Sequence, residues 1–204
     1  MKEHSDNPGQ FPVIILAAGL SGRMGFPKPF LKWDAKSTFL EKIIAEYLSF
    51  GRGEIIVVIN NEGYCRVKNE MPQIEQFAKI VVNKEPEKGR FYSIKLGLTA
   101  LAEIQPCFIQ NIDNPFVNFS LLAGMSKHAE PDSHVVPVYK GKRGHPVLVG
   151  TEIMKYILSL DEADRDLKEL LNKFRRTEVE TNDKNILMNI NSMEEYRKLF
   201  KKLF

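Results

Sequence analysis

The sequence predicts an α/β protein: a three-layer α/β/α sandwich around a mostly parallel central sheet, with a small β-hairpin element. Three observations carry this reading. Short apolar runs, at Phe11–Leu16, Glu54–Ile59, Lys79–Val82 and Cys107–Asn111, alternate with amphipathic stretches. These runs are continuous rather than alternating in polarity, the pattern of strands covered on both faces. Late in the chain, Val135–Tyr139 and Pro146–Val149 flank Gly141–Gly144, a hairpin signal. Strands joined through helices in this order build a sheet with helices on both sides.

Each element has a local cause. Phe11–Leu16 ends at Ala17-Ala18-Gly19, a strand entering a loop. Thr38–Phe50 places Leu40, Ile43, Ile44, Tyr47 and Leu48 on one helical face. Thr38 and Glu41 form a capping box there, and Gly51 suits the exit. The strand Glu54–Ile59 is closed by the turn signal Asn60-Asn61-Glu62-Gly63, and residues 64–78 read as an irregular helix broken near Pro72. A helix over Gly89–Ala102 turns Phe91, Ile94, Leu98 and Leu101 inward, and Asp113-Asn114-Pro115 ends the strand Cys107–Asn111. Helices follow at 118–128, 151–160 and 166–175, with short strands at Glu178–Thr181 and Ile186–Asn189. Ser192 and Glu195 cap a final helix whose inner face is Met193, Tyr196, Leu199 and Phe200.

The bulk numbers narrow the function classes. The chain has 204 residues, enough for one domain with a substantial core, read here as 11–204 behind a flexible extension at 1–10. Its net charge is +3, with no dense Lys/Arg block, which argues against a nucleic-acid binder or a membrane-surface protein. No run of about 18 apolar residues exists to span a bilayer. Residues 1–10 lack the apolar core of a signal peptide. Cys65 and Cys107 sit in no CxxC pair and near no His at metal-ligand spacing. They read as reduced thiols of a cytoplasmic protein.

In a parallel sheet, ligands bind beyond the C-terminal strand ends. Chemistry is therefore expected near residues 18–28, 60, 83–93 and 111–115. The first of these regions is Leu16-Ala17-Ala18-Gly19-Leu20-Ser21-Gly22-Arg23-Met24-Gly25-Phe26-Pro27-Lys28-Pro29-Phe30-Leu31. Its glycines allow positive φ and close approach to a ligand, and successive N–H groups make an anion-binding nest. Arg23 and Lys28 add positive charge suited to a triphosphate. The spacing GxxGxxG is not the dinucleotide-binding GxGxxG, and no GK[ST] follows as in a Walker A loop. A plain strand–helix loop with turn glycines is the competing reading.

The second region carries Asp113 at a strand end. Mg²⁺ is commonly held by one or two carboxylates together with phosphate oxygens and water, so this Asp is a candidate ligand. It could equally open an Asp-x-Pro turn.

LAAGLSGRMGFPKPFL resembles the LAAGxSxRMGxxKxLL signature of the MobA-like nucleotidyltransferases, which include the molybdenum-cofactor cytidylyl- and guanylyltransferases. The resemblance implies a Rossmann-like, nucleotide-diphospho-sugar transferase-like fold. It also implies that Leu16, Ala17, Ala18, Gly19, Ser21, Gly22 and Gly25 wrap the NTP phosphates, with Arg23 and Lys28 contacting them. Ala17-Ala18-Gly19 resembles the cytidylyl branch, which favours CTP. Asn111-Ile112-Asp113-Asn114-Pro115-Phe116-Val117 resembles the family's GD(Q/M)PFV segment, whose Asp binds the metal; Ile112 and Asn114 depart from it.

Asn83, Gly89 and Ser93 match the family pattern N…GxxxS, where loop and helix start face the nucleotide. Gly89 and Ser93 also sit at a helix N-terminus, whose free N–H groups favour phosphate. Gly144-His145-Pro146-Val147-Leu148 resembles GHPVL near the acceptor site, with His145 either an acid–base group or a shaper of the hairpin. Asn189-Ile190-Asn191 resembles DID or NIN, so Asn189 or Asn191 is implied as a second metal ligand. Asp164–Leu171 (DRDLKELL) lacks the glycine of the cytidylyl branch's GDxGAR-like stretch.

The matched motifs run from residue 14 to 196. They imply a Mg²⁺-dependent transfer of NMP from an NTP, CTP favoured, to a small phosphorylated acceptor, with molybdopterin first in line. The chain is expected to act as a monomer or weak homo-oligomer. A sugar-phosphate or phosphocholine nucleotidyltransferase, and a nucleotide-binding domain without turnover, are the alternatives.

Overall fold

The computed structural model describes residues 10–20, 22, 24–161 and 166–201. Ser21, Arg23, residues 162–165 and 202–204, and residues 1–9 of the extension expected over 1–10, lie outside the described residues.

Four parallel strands form one half of the sheet, from its edge inward, in the order β3 (Lys79–Asn83), β2 (Ile55–Asn60), β1 (Val13–Ala17), β4 (Cys107–Asn111). The register places Ile15 between Val57 and Gln110. Beyond β4 the sheet changes sense. β7 (Val147–Val149) pairs antiparallel with β4 and with the start of β5 (Ser133–Tyr139). β6 (Lys142–Arg143) pairs antiparallel with the end of β5, and β8 (Arg175–Glu180) pairs parallel along Ser133–Val138. Lys140 and Gly141, with φ of 48° and 74°, join β5 to β6. Positive φ at both central residues matches the right-handed twist of a two-residue hairpin. The expected three-layer, mostly parallel architecture with a hairpin is the one observed.

Strand alternation divides the core into two layers. Val13, Ile15 and Ala17 point to the side covered by α1 (Phe39–Phe50), α4 (Phe119–Ser126) and α7 (Met193–Leu199). Ile14 and Leu16 point to the side covered by α3 (Gly89–Thr99), α5 (Thr151–Ser159) and α6 (Leu167–Leu171). Each fully buried Ile of β1 contributes about 1.5–3 kcal/mol by leaving water. At Gly97 a Cβ would lie 2.4 Å from the Ile14 side chain, so glycine lets α3 sit directly on β1. The chain has no helix, among the described residues, long and apolar enough to cross a membrane.

Several sequence expectations are corrected. Asn60–Gly63 is not a turn: Asn60 accepts a hydrogen bond from the Gly63 N–H and caps α2 (Asn61–Glu70). The helix expected over 166–175 stops at Leu171, and β8 begins at Arg175. β8 is a charged edge strand, RRTEVE, whose polarity hid its start. Residues 184–187 form a 3₁₀ turn where a strand over Ile186–Asn189 was expected, with Asp183 capping it through the Asn185 N–H. Leu48 and Leu199, each 42% exposed, lie outside the buried faces assigned to them. Leu101 is half-buried.

Candidate active site

A cleft of about 380 Å³ opens over the C-terminal ends of β1 and β4. Leu16, Ala17, Ala18, Gly19 and Gly22 form one wall, Gly89, Arg90 and Ser93 of α3 another, and Asn111, Ile112 and Asp113 the floor. Lys28 and Asn191 close the far side.

The loop after β1 takes its shape from the residues at its far end. Pro27 and Pro29 fix a 3₁₀ turn over Lys28–Phe30, and buried Phe30 and Leu31 anchor it in the core. Lys28 is thereby aimed back at the strand ends. Gly25 has φ of 65°, as the loop reading expects, but it does not line the cleft. A Cβ on Gly19 or Gly22 would meet nothing within 4 Å, so their lack of side chain leaves open space rather than relieving strain. At the opposite wall Gly89 has φ of 82°, a conformation that favours glycine at the start of α3.

Asp113 lies two residues beyond the end of β4. Its backbone C=O accepts a hydrogen bond from the Ile190 N–H at 2.8 Å, which lays the segment before α7 against the strand end. Asn114, 1% exposed, strengthens this join: its Nδ2 donates to the Ile186 carbonyl at 3.0 Å and the Asn185 carbonyl at 3.4 Å. Gln110, fully buried beneath, donates to the Asn114 carbonyl at 2.8 Å. Asn191 is delivered to the cleft by this stitching. The Ser192–Glu195 capping box then starts α7, with Glu195 also accepting from the Asn191 N–H at 2.7 Å.

Three groups converge as a result. Lys28 Nζ donates to Asn191 Oδ1 at 2.8 Å and lies 3.4 Å from Asp113 Oδ2. Asp113 Oδ1 is buried with no hydrogen-bond partner. An unpaired buried carboxylate oxygen is costly unless a cation or ligand meets it. Among the described residues no cluster of three or more His, Cys, Asp or Glu could cage a metal. One carboxylate and one amide oxygen at the rim of a phosphate-sized cleft instead fit a hard divalent cation that takes its other ligands from phosphate and water.

The remaining expected residues are placed differently. Asn189 is exposed and does not line the cleft, whereas Asn191 does. Asn83 is fully buried behind the wall, donating to Ser93 Oγ at 3.0 Å and accepting from the Glu85 N–H at 2.8 Å. It holds the α3 N-terminus in position rather than facing the cleft. Asn60, in the expected region after β2, likewise props the loop by donating to the Ala18 carbonyl at 3.2 Å. His145 lines a second, adjoining cleft of about 570 Å³. Its ring is 3.4–3.5 Å from Asn111 Nδ2. Burial holds its pKa below the usual histidine value; Asp113 opposes that shift and Arg90 adds to it.

Sequence reasoning missed Arg90 and Asn111, which line both clefts. Arg90 had a signal, a cation one residue after Gly89 at a helix start. Asn111 had only its place at a strand end.

Comparison with known proteins agrees with this geometry. The MobA-like NTP transferase domain family matches residues 13–179. The chain is 26% identical over 185 residues to the molybdenum cofactor cytidylyltransferase of Escherichia coli K12, covering 90% of this chain and 92% of that protein. It is 28% identical over 200 residues to a probable molybdenum cofactor guanylyltransferase of Bacillus cereus AH820, covering 92% and 94%. The fold is shared with Rv0371c of Mycobacterium tuberculosis H37Rv, whose manganese complex superposes with a TM-score of 0.76 at 18% identity over 94% of this chain and 98% of that one. Fold, cleft and sequence point to one assignment: the chain is a nucleotidyltransferase and belongs to the MobA-like NTP transferase family.

Proposed function

We propose that the chain transfers a nucleoside monophosphate from a Mg²⁺-bound NTP, CTP favoured, to a small phosphorylated acceptor, molybdopterin first among them, and releases pyrophosphate. The observation that carries this reading is the unpaired, buried Asp113 Oδ1, set beside Asn191 and Lys28 in a cleft walled by the glycine-rich loop. Named relatives with the molybdenum cofactor as acceptor, and a relative of the same fold solved with manganese, support the acceptor and the divalent metal. The lean to CTP rests on Ala17-Ala18-Gly19 alone, since the relatives divide between cytidylyl and guanylyl transfer.

The acceptor phosphate attacks the α-phosphorus in line: a new P–O bond forms, the bond to the β-phosphate oxygen breaks, and pyrophosphate leaves with the electron pair. No covalent enzyme nucleophile is needed, and positioning and charge neutralisation supply the catalysis. The loop backbone over residues 17–22 and the N-terminus of α3 hold the triphosphate. Asp113 and Asn191 would hold the metal, which would neutralise phosphate charge. Lys28, which contacts both of these oxygens in the free protein, would serve the phosphates. Arg23 joins it on the leaving pyrophosphate.

The test is pyrophosphate release from each of the four NTPs with Mg²⁺, with and without molybdopterin. CTP is expected to give the highest rate, and only when acceptor is present. Preference for GTP would move the base assignment to the guanylyl side and leave the cleft chemistry intact.

A further inference from the structure

The glycine-rich loop runs from the end of β1 to the turn that carries Lys28, and α2 touches it at both ends. At the near end Asn60, the N-cap of α2, donates from Nδ2 to the Ala18 carbonyl at 3.2 Å. At the far end Arg66, further along the same helix, lays its guanidinium over two rings. Its Cζ is 4.1 Å from the Phe30 ring centroid and 5.0 Å from that of Phe26. These two rings stand two residues before and two residues after Lys28 in the chain. The core holds Phe30, which is 5% exposed; Phe26, at 37%, has far less core to hold it.

Arg66 is itself held. Glu70 accepts from its Nε at 2.8 Å and from its Nη2 at 3.0 Å, a two-pronged pairing that fixes the plane of the guanidinium. Fully buried Val67 pins α2 to the core beside it. A partly exposed ion pair one helical turn long adds little to stability by itself. Its consequence here is orientation. A planar, delocalised cation stacks on aromatic faces, and the ring electrons attract it.

The turn over Lys28–Phe30 sets where the Lys28 ammonium falls, 2.8 Å from Asn191 Oδ1 and 3.4 Å from Asp113 Oδ2. Three glycines lie between Ala18 and Phe26, so this stretch of backbone has wide freedom of its own. A slack loop is placed by what holds its ends. Arg66 lines neither cleft, so its influence on the nucleotide passes through the loop.

We propose that Arg66, oriented by Glu70, is a positioning residue for Lys28: by holding Phe26 and Phe30 it fixes the far end of the glycine-rich loop, so that the ammonium meets the phosphates of the bound NTP. This rests on the nucleotidyltransferase reading above, with Lys28 as a phosphate contact.

The test is a double-mutant cycle. Equilibrium binding of Mg²⁺–CTP, or of Mg²⁺–GTP if the wild type prefers it, is measured for the wild type, Arg66→Met, Lys28→Ala and the double variant. Arg66→Lys is the conservative replacement, and thermal melting of each protein is the control for folding. Met keeps an apolar stem and removes the cation; Lys returns a cation to the rings without the fork that Glu70 grips. Arg66→Met is expected to bind the nucleotide about fivefold more weakly than wild type and to melt within a few degrees of it. Arg66→Lys should fall between the two. In the Lys28→Ala background Arg66→Met should bring no further loss, because the group that it positions is gone. Wild-type affinity in Arg66→Met would overturn the proposal. So would the same fivefold loss in the Lys28→Ala background, which would make Arg66 act independently of Lys28, or an Arg66→Lys variant as weak as Arg66→Met. A wild type that binds none of the four Mg²⁺–NTPs would overturn the transferase reading and this proposal with it. Binding by the wild type with additive losses in the cycle would remove Arg66 alone.

Discussion

At the scale of single residues, the active-site proposal turns on Lys28. In the free protein its ammonium stands between Asp113 and Asn191, where it balances the carboxylate. Its proposed work during turnover is on the leaving phosphates. Lys28→Ala should therefore lower kcat/KM for the NTP by roughly 30- to 1000-fold, about 2–4 kcal/mol of transition-state stabilisation. Steady-state kinetics checks this, and an unchanged kcat/KM would remove Lys28 from the mechanism. The candidacy of Lys28 and Asp113 was legible because motif and strand-end position coincide on them. The choice of Asn191 over Asn189 was not. It is made by the Ile190 N–H bond to the Asp113 carbonyl, a contact across 77 residues that no local pattern encodes.

At the scale of elements, the site is a joint between β4 and the segment leading to α7. Asn114 is its pin, and Gln110 the support beneath it. Asn114→Leu removes the donors to two loop carbonyls and leaves the Ile186 carbonyl with the His145 N–H as its remaining donor. Destabilisation of about 1–3 kcal/mol is expected, with a fall in turnover as Asn191 loses its position. Urea denaturation and kinetics on the same preparation check both halves. Wild-type stability would show that the joint is held by the backbone bond alone. The elements themselves were largely legible, since strands buried on both faces and two capping boxes leave strong local signals. The failures came where those signals are weak. β8 carries four charged residues on an edge, and 184–187 is set by an Asp cap rather than by any apolar period.

At the scale of the molecule, the sheet changes sense after β4, and that change places two clefts side by side. The parallel half offers strand ends and helix N-termini to a triphosphate, while the hairpin, β8 and α6 build a basic, apolar-walled slot next to it. Arg90 and Asn111 are common to both. The division was half visible in the sequence. The glycine-rich loop announced the nucleotide side through composition and spacing. Asn111, Gly144, His145 and Val147 of the second cleft lie in motifs the sequence shows, but its other lining residues, between 90 and 176, share none, so the cleft as a whole appears only when the chain is folded.

The most direct test of this account is pyrophosphate release by Asp113→Ala and wild type, with Mg²⁺–CTP and molybdopterin, alongside their thermal melting. The account predicts a folded variant, melting within a few degrees of wild type, whose turnover falls by on the order of a thousandfold. A folded variant with near-wild-type turnover would contradict it, because Asp113 would then hold nothing that the reaction needs.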